Sequence, residues 1–150
     1  MKLLTALLFS LLSAKAAYAD SFVLADGSNE IKVSTEDLVK LPVTSITTAT
    51  NFTPNATFQG VTFAELLSKY SIKASSLRVY ALDDYSYTLP VGELIKYGVI
   101  LTYRKNGQLI QVSDLGPFAV TYPRDEHPEL NKLEVNAKTV WQINRIEVIK

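Results

Sequence analysis

The chain has 150 residues, 15 basic and 15 acidic side chains, one histidine and no cysteine. The balanced charge leaves no electrostatic footprint for nucleic acid or an acidic membrane surface. The missing thiol excludes disulfides, a cysteine nucleophile and thiolate metal ligation.

Lys2, the apolar run Leu3 to Leu12 and the small-x-small triplet Ala17-Tyr18-Ala19 have the three parts of a secretory signal. They assign residues 1–19 to a signal peptide and residues 20–150 to the mature domain. The run is shorter than the roughly 20 apolar residues of a spanning helix. The competing reading is a retained N-terminal anchor helix. No cysteine follows for a lipid anchor and no arginine pair precedes, so the route is the general secretory one and the location the periplasm. That route delivers an unfolded chain. With 19 residues removed, 131 remain, the size of one ordinary domain. Losing Lys2 and Lys15 leaves 13 basic against 15 acidic side chains, and no second apolar segment invites direct membrane insertion.

Ser21 to Ala25 and Glu30 to Val33 read as short strands around the turn Asp26-Gly27-Ser28-Asn29. Ser34 with Asp37 three residues on starts a helix that runs to about Lys40 before Pro42 stops it. Val43 to Ala49 is rich in β-branched residues and predicts a strand. Thr50 to Thr57 is polar, contains Pro54 and reads as a loop. Its triplets Asn51-Phe52-Thr53 and Asn55-Ala56-Thr57 would accept glycans in a eukaryotic secreted protein, and in a bacterial periplasm are loop residues. Thr62 to Glu65 has the form of a capping box, and Phe63, Leu66, Leu67 and Tyr70 fall on one helix face. Leu77 to Leu82 and Tyr85 to Leu89 predict strands around the turn Asp83-Asp84. A short helix follows Pro90 and ends at Gly98. Val99 to Arg104 and Gln108 to Val112 flank Asn106-Gly107, a strong hairpin signal. Phe118 to Tyr122 predicts a strand, Pro123 to Lys138 a polar loop, and Val140 to Ile149 the final strand. The sum is a single α+β domain with a mixed sheet.

Few side chains could do covalent chemistry. His127 lies in a polar loop between Glu126 and Pro128, where a solvated side chain is the ordinary outcome. No serine sits in a nucleophile elbow, and no glycine loop is built to cradle phosphate. Aromatic residues are more informative. Several stand beside turns with polar neighbours: Asp83-Asp84-Tyr85-Ser86, Thr50-Asn51-Phe52, Tyr122-Pro123-Arg124-Asp125, and Trp141-Gln142 with Arg145. Each alone reads as a turn residue or a core aromatic. Together they could line a pocket for a flat heterocycle.

Those places fall within a larger pattern. Phe58-Gln59-Gly60-Val61 leads into Glu65-Leu66-Leu67. Ala81-Leu82-Asp83-Asp84-Tyr85-Ser86 and Pro90 follow, then Gly107, Leu115-Gly116-Pro117-Phe118 and Tyr122-Pro123. Asp125 with His127-Pro128-Glu129-Leu130 and Val140-Trp141-Gln142-Ile143 complete it. In this order the chain, from about Thr47 to Val148, resembles small periplasmic relatives of the sulfite oxidase-type molybdopterin-binding domain. In particular it is similar to the short pterin-binding regulators that partner a membrane-bound diguanylate cyclase/phosphodiesterase. The resemblance implies a mixed-sheet α+β sulfite oxidase-type fold and a pterin pocket made of loops. It also implies a partner, the periplasmic domain of the membrane cyclic-di-GMP signalling enzyme.

The sequence departs from the enzymes of this type in having no cysteine to tether molybdenum and a general secretory signal. Both departures favour a non-catalytic binding protein that takes up a reduced pterin without molybdenum. The alternative is a molybdopterin-dependent oxidoreductase with a cysteine-free site. A pterin's pyrimidine edge offers an amino group and a ring N–H side by side, which one carboxylate accepts at about 1.5–3 kcal/mol per charge-assisted bond. Asp84 is the expected acceptor. Arg124 or Arg145 could donate to the opposite edge. Tyr85, Phe52, Tyr122 and Trp141 could stack on the ring, at about 0.5–1.5 kcal/mol. Asn51, Thr50 and Thr48 could serve either edge or the side chain of the ligand.

Overall fold

The computed structural model describes residues 20–150, so the expected signal peptide, residues 1–19, lies outside the described residues. β1 (Ser21–Asp26) and β2 (Asn29–Ser34) form an antiparallel hairpin, closed at Gly27 with φ 63°. α1 (Thr35–Leu38) begins at Ser34, whose hydroxyl accepts the Asp37 N–H at 3.1 Å. The Asp37 carboxylate returns the bond to the Ser34 N–H at 2.9 Å, completing the capping box. β3 (Thr44–Thr48) follows, then β4 (Ala56–Thr62). The second strand replaces the end of the expected loop. Its residues 58–61 alternate weakly and carry a glycine, so only pairing to both neighbours makes them a strand.

α2 (Phe63–Lys69) starts at Thr62, whose hydroxyl accepts the Glu65 N–H at 3.1 Å, and buries Phe63, Leu66 and Leu67. β5 (Ser76–Ala81) and β6 (Ser86–Pro90) form a second hairpin. α3 (Val91–Lys96) ends at Gly98 with φ 58°. β7 (Ile100–Lys105) and β8 (Gln108–Leu109) surround Asn106 and Gly107, both at positive φ, as a type I′ turn requires. Val112 belongs to a 3-10 turn, Val112–Asp114, and not to the hairpin strand. β9 (Ala119–Thr121) pairs with β7.

The stretch expected as a loop, residues 123–138, contains a 3-10 turn at Pro128–Leu130 and a helix, α4 (Leu133–Lys138). The final strand, β10 (Ile143–Ile149), starts three residues later than expected. Gln142 in the left-handed region, φ 50°, ends any extended run before it.

The strands make two five-stranded sheets. One has the order β2-β1-β10-β5-β6 and is mixed, because β10 runs parallel to β1 and antiparallel to β5. The other has the order β3-β4-β7-β8, with β9 continuing along the β7 edge beyond β8. Phe22, Leu77 and Ile146 of the first sheet share one buried cluster with Leu101 and Val120 of the second and with Phe63 of α2. Ile46, Ala56, Phe58 and Ile100 form a small second cluster on the other side. Gly60 is required where β4 crosses β7, since a Cβ there would run into the Leu101 carbonyl oxygen.

Candidate functional site

The loops that leave these sheets meet at one end of the molecule. The β5–β6 turn has Asp84 at φ 69°, and the Ala81 N–H donates to the Tyr85 carbonyl across it at 2.8 Å. Asp83 Oδ1 accepts the Tyr85 N–H at 3.1 Å, which holds the turn. Tyr85 then reaches across to α4, where its hydroxyl donates to the Ala137 carbonyl at 2.7 Å. Burial, and secondarily Tyr87, push the Tyr85 phenol above its ordinary pKa.

The β3–β4 loop supplies a third wall. The Thr50 hydroxyl accepts the N–H groups of Phe52 at 3.2 Å and Thr53 at 3.0 Å, a side-chain turn that presents Phe52 outward. Phe52 meets Trp141 edge to face, with ring centroids 4.1 Å apart and planes at 67°. Trp141 precedes the final strand and is half-buried.

Between these walls lies a cavity of about 310 Å³, lined by Asn51, Phe52, Asp83, Tyr85, Asn136 and Trp141, together with Ala81 and Ala137. That is the lower end of the roughly 300–1,000 Å³ of small-molecule pockets. A more polar cavity of about 560 Å³ adjoins it, with Asn51 in both linings and Thr50, Arg124, Asp125 and Asn131 among the rest. A slot of about 30 Å³ behind Phe52 and Trp141 is too small for a ring. Asp84 and Gln142 are left-handed without being glycine, and each bounds a loop that supplies this end of the molecule, the β5–β6 turn and the entry to β10.

The cleft gathers most of the expected residues and leaves others out. Asn51, Phe52, Tyr85 and Trp141 line the main cavity, and Thr50 and Arg124 the adjoining one. Asp84 is exposed and outside the lining, and Asp83 holds the position expected of it, because the left-handed residue closes the turn. Tyr122 is in the core, 1% exposed, with its hydroxyl donating to Glu93 Oε2 at 2.9 Å. Burial, and then Glu93, raise its pKa far above the ordinary phenol value. Arg145 is on β10, away from the cleft, bonded to Glu30 and Glu147 at 3.0 Å each. Its place on a strand of the first sheet fixes this. Thr48 is buried, and its hydroxyl pins Asp125, donating to Oδ1 at 3.1 Å and accepting the N–H at 3.2 Å.

Asp83, Asn136 and Ala137 were missed. The last two belong to α4, whose one readable signal is the Glu134–Lys138 pair at helical spacing, 3.0 Å apart. Lys138 is 6% exposed and also bonds Glu93 at 2.8 Å, tying α4 to α3. Burial pulls its pKa down, and the bonds to Glu93 and Glu134 outweigh that and leave it raised. Among the described residues no group of three His, Cys, Asp or Glu side chains is arranged to hold a metal ion. No helix among them is long and apolar enough to cross a membrane.

No protein-family model matches the chain, and no curated protein does. Solved structures do match. One is the sulfane dehydrogenase SoxCD from Paracoccus pantotrophus, with a TM-score of 0.64 at 14% sequence identity over 86% of this chain. The chain spans 38% of the length of that one. At this identity the likeness bears on the fold, and it agrees with the α+β, mixed-sheet, sulfite oxidase-type fold expected from the sequence.

Proposed function

We propose that this chain is a non-catalytic pterin-binding protein of the periplasm, whose occupancy is read by the periplasmic domain of a membrane-bound cyclic-di-GMP signalling enzyme. The observation that carries the pterin reading is the 310 Å³ cavity, walled by Phe52, Tyr85 and Trp141 with Asp83 in its lining. A flat heterocycle gains from aromatic faces, and its guanidine-like edge from a carboxylate. Asp83 takes the role the sequence suggests for Asp84. Its Oδ1 is oriented by the Tyr85 N–H, which leaves the second oxygen open to a ligand.

Titration of the purified protein with a fluorescent pterin tests the reading. Asp83→Asn, which keeps the acceptor that holds the turn, is expected to weaken binding tenfold or more, and Asp84→Asn by less than twofold. Unchanged affinity in Asp83→Asn overturns the assignment. The second reading, a molybdopterin oxidoreductase, is favoured only by the fold shared with a dehydrogenase. Stoichiometric molybdenum in protein from its native host, with turnover, would select it.

A further inference from the structure

We propose that the pterin bound here carries an anionic group, carboxylate or phosphate, on its side chain, and that Arg124 receives it in the polar cavity beside the ring site. The inference rests on the pterin reading above and names the ligand class.

The Arg124 guanidinium is half-buried and fixed from one side. Nη1 donates to Asn136 Oδ1 at 2.6 Å and Nη2 to Asn131 Oδ1 at 2.9 Å. Both acceptors are neutral, so the positive charge is oriented without being cancelled. No carboxylate among the described residues pairs with it. Two of the five guanidinium N–H groups are used, and the others remain for a ligand. Arginine forks match carboxylate and phosphate oxygens in pairs, and a guanidinium preorganised in this way loses little freedom on binding.

The position fits a side chain better than a ring edge. Arg124 lines the 560 Å³ cavity, whereas the aromatic walls line the smaller one. Asn51 is in both linings, and Asn136 lines the ring cavity while accepting from Arg124. A ring among the aromatics would therefore extend a short chain past Asn51 to the guanidinium. Asp125, the one carboxylate in that lining, is held by Thr48, and forms no ion pair with Arg124.

The test compares three pterins, with neutral hydroxylated, carboxylate-ended and phosphate-ended side chains, by fluorescence titration. The wild-type protein is expected to bind at least one anionic form tenfold or more tightly than the neutral one. The two anionic arms tell carboxylate from phosphate. The preference should fall as salt rises, since a cleft open to solvent is screened. Arg124→Gln should reduce it below twofold, and Arg124→Lys should keep part of it. Equal affinity for all three in the wild type overturns the proposal and leaves the pterin reading standing, whereas failure of all three to bind overturns that reading too. An Arg124→Gln protein that keeps the preference but loses affinity for a glutamate-rich peptide would assign the guanidinium to a protein partner and also overturn it. The wild-type comparison and salt series decide the matter even if the variants fold poorly.

Discussion

Two arginines in this molecule have opposite surroundings. Arg145 is on β10, with Glu147 two residues further on the same face and Glu30 on β2, beyond the intervening β1. Tyr80 donates to Glu147 Oε2 at 3.1 Å and completes the group. Strand periodicity alone places i and i+2 together, so the arginine's charge is spent within the sheet. Arg124 lies in a loop and is held by two asparagines. Its charge is positioned but unspent. In the sheets, polar side chains serve the fold, and in the loop cleft they are left available.

The comparison can be broken most severely from the sheet side. Gly60→Ala would force a methyl group onto the Leu101 carbonyl, backbone against backbone, where no side chain can move aside. The expected loss is about 3 kcal/mol or more, read as a fall in the denaturant midpoint. Near wild-type stability would mean the β4–β7 contact is looser than described.

Next is the tie between α3 and α4. Glu93→Ala takes the acceptor from the Tyr122 hydroxyl and a partner from Lys138, both buried. About 2–3 kcal/mol should be lost, or a melting temperature lower by roughly 10 °C. Ligand affinity should fall as well, because α4 carries Asn136 and Ala137. A melting temperature within a degree or two of wild type would show that the tie contributes little.

The smallest effect is expected at Arg145. Arg145→Ala should move the denaturant midpoint least of the three at neutral pH, since exposed ion pairs contribute little. Ligand affinity should not change. The hydrogen bond from Arg145 is the main reason the Glu147 carboxyl titrates below its ordinary value. A carboxyl lowered by folding stabilises above its unfolded pKa, about 4.3 for glutamate, and that share is lost as pH falls through the folded value. Acid unfolding of wild type and Arg145→Ala should converge below that range, and a constant gap would refute the coupling.

The sheet side was legible in the sequence and the cleft only in part. Ser34 with Asp37, the Asn106-Gly107 turn and the alternation of Leu77 and Val79 are local signals, and each gave the element it announces. β4 had no such signal, and α4 only the Glu134–Lys138 spacing. β4 is made by pairing on both sides, and α4 begins at Lys132 without a side-chain cap. Asp83 and Asp84 are adjacent acids in one turn, and only the left-handed backbone of the second separates their roles. Tyr122 and Arg145 were misplaced because a residue beside a turn can face the core or a neighbouring strand, and sequence spacing does not say which.

The bond from the Tyr85 hydroxyl to the Ala137 carbonyl joins walls 52 residues apart in the chain. Its acceptor is main chain, so residue 137 can vary in descendants of this sequence without releasing the clasp. Every such change leaves the breadth of the opening in the keeping of one phenolic oxygen, and a phenylalanine at 85 would part the two walls while preserving the aromatic surface.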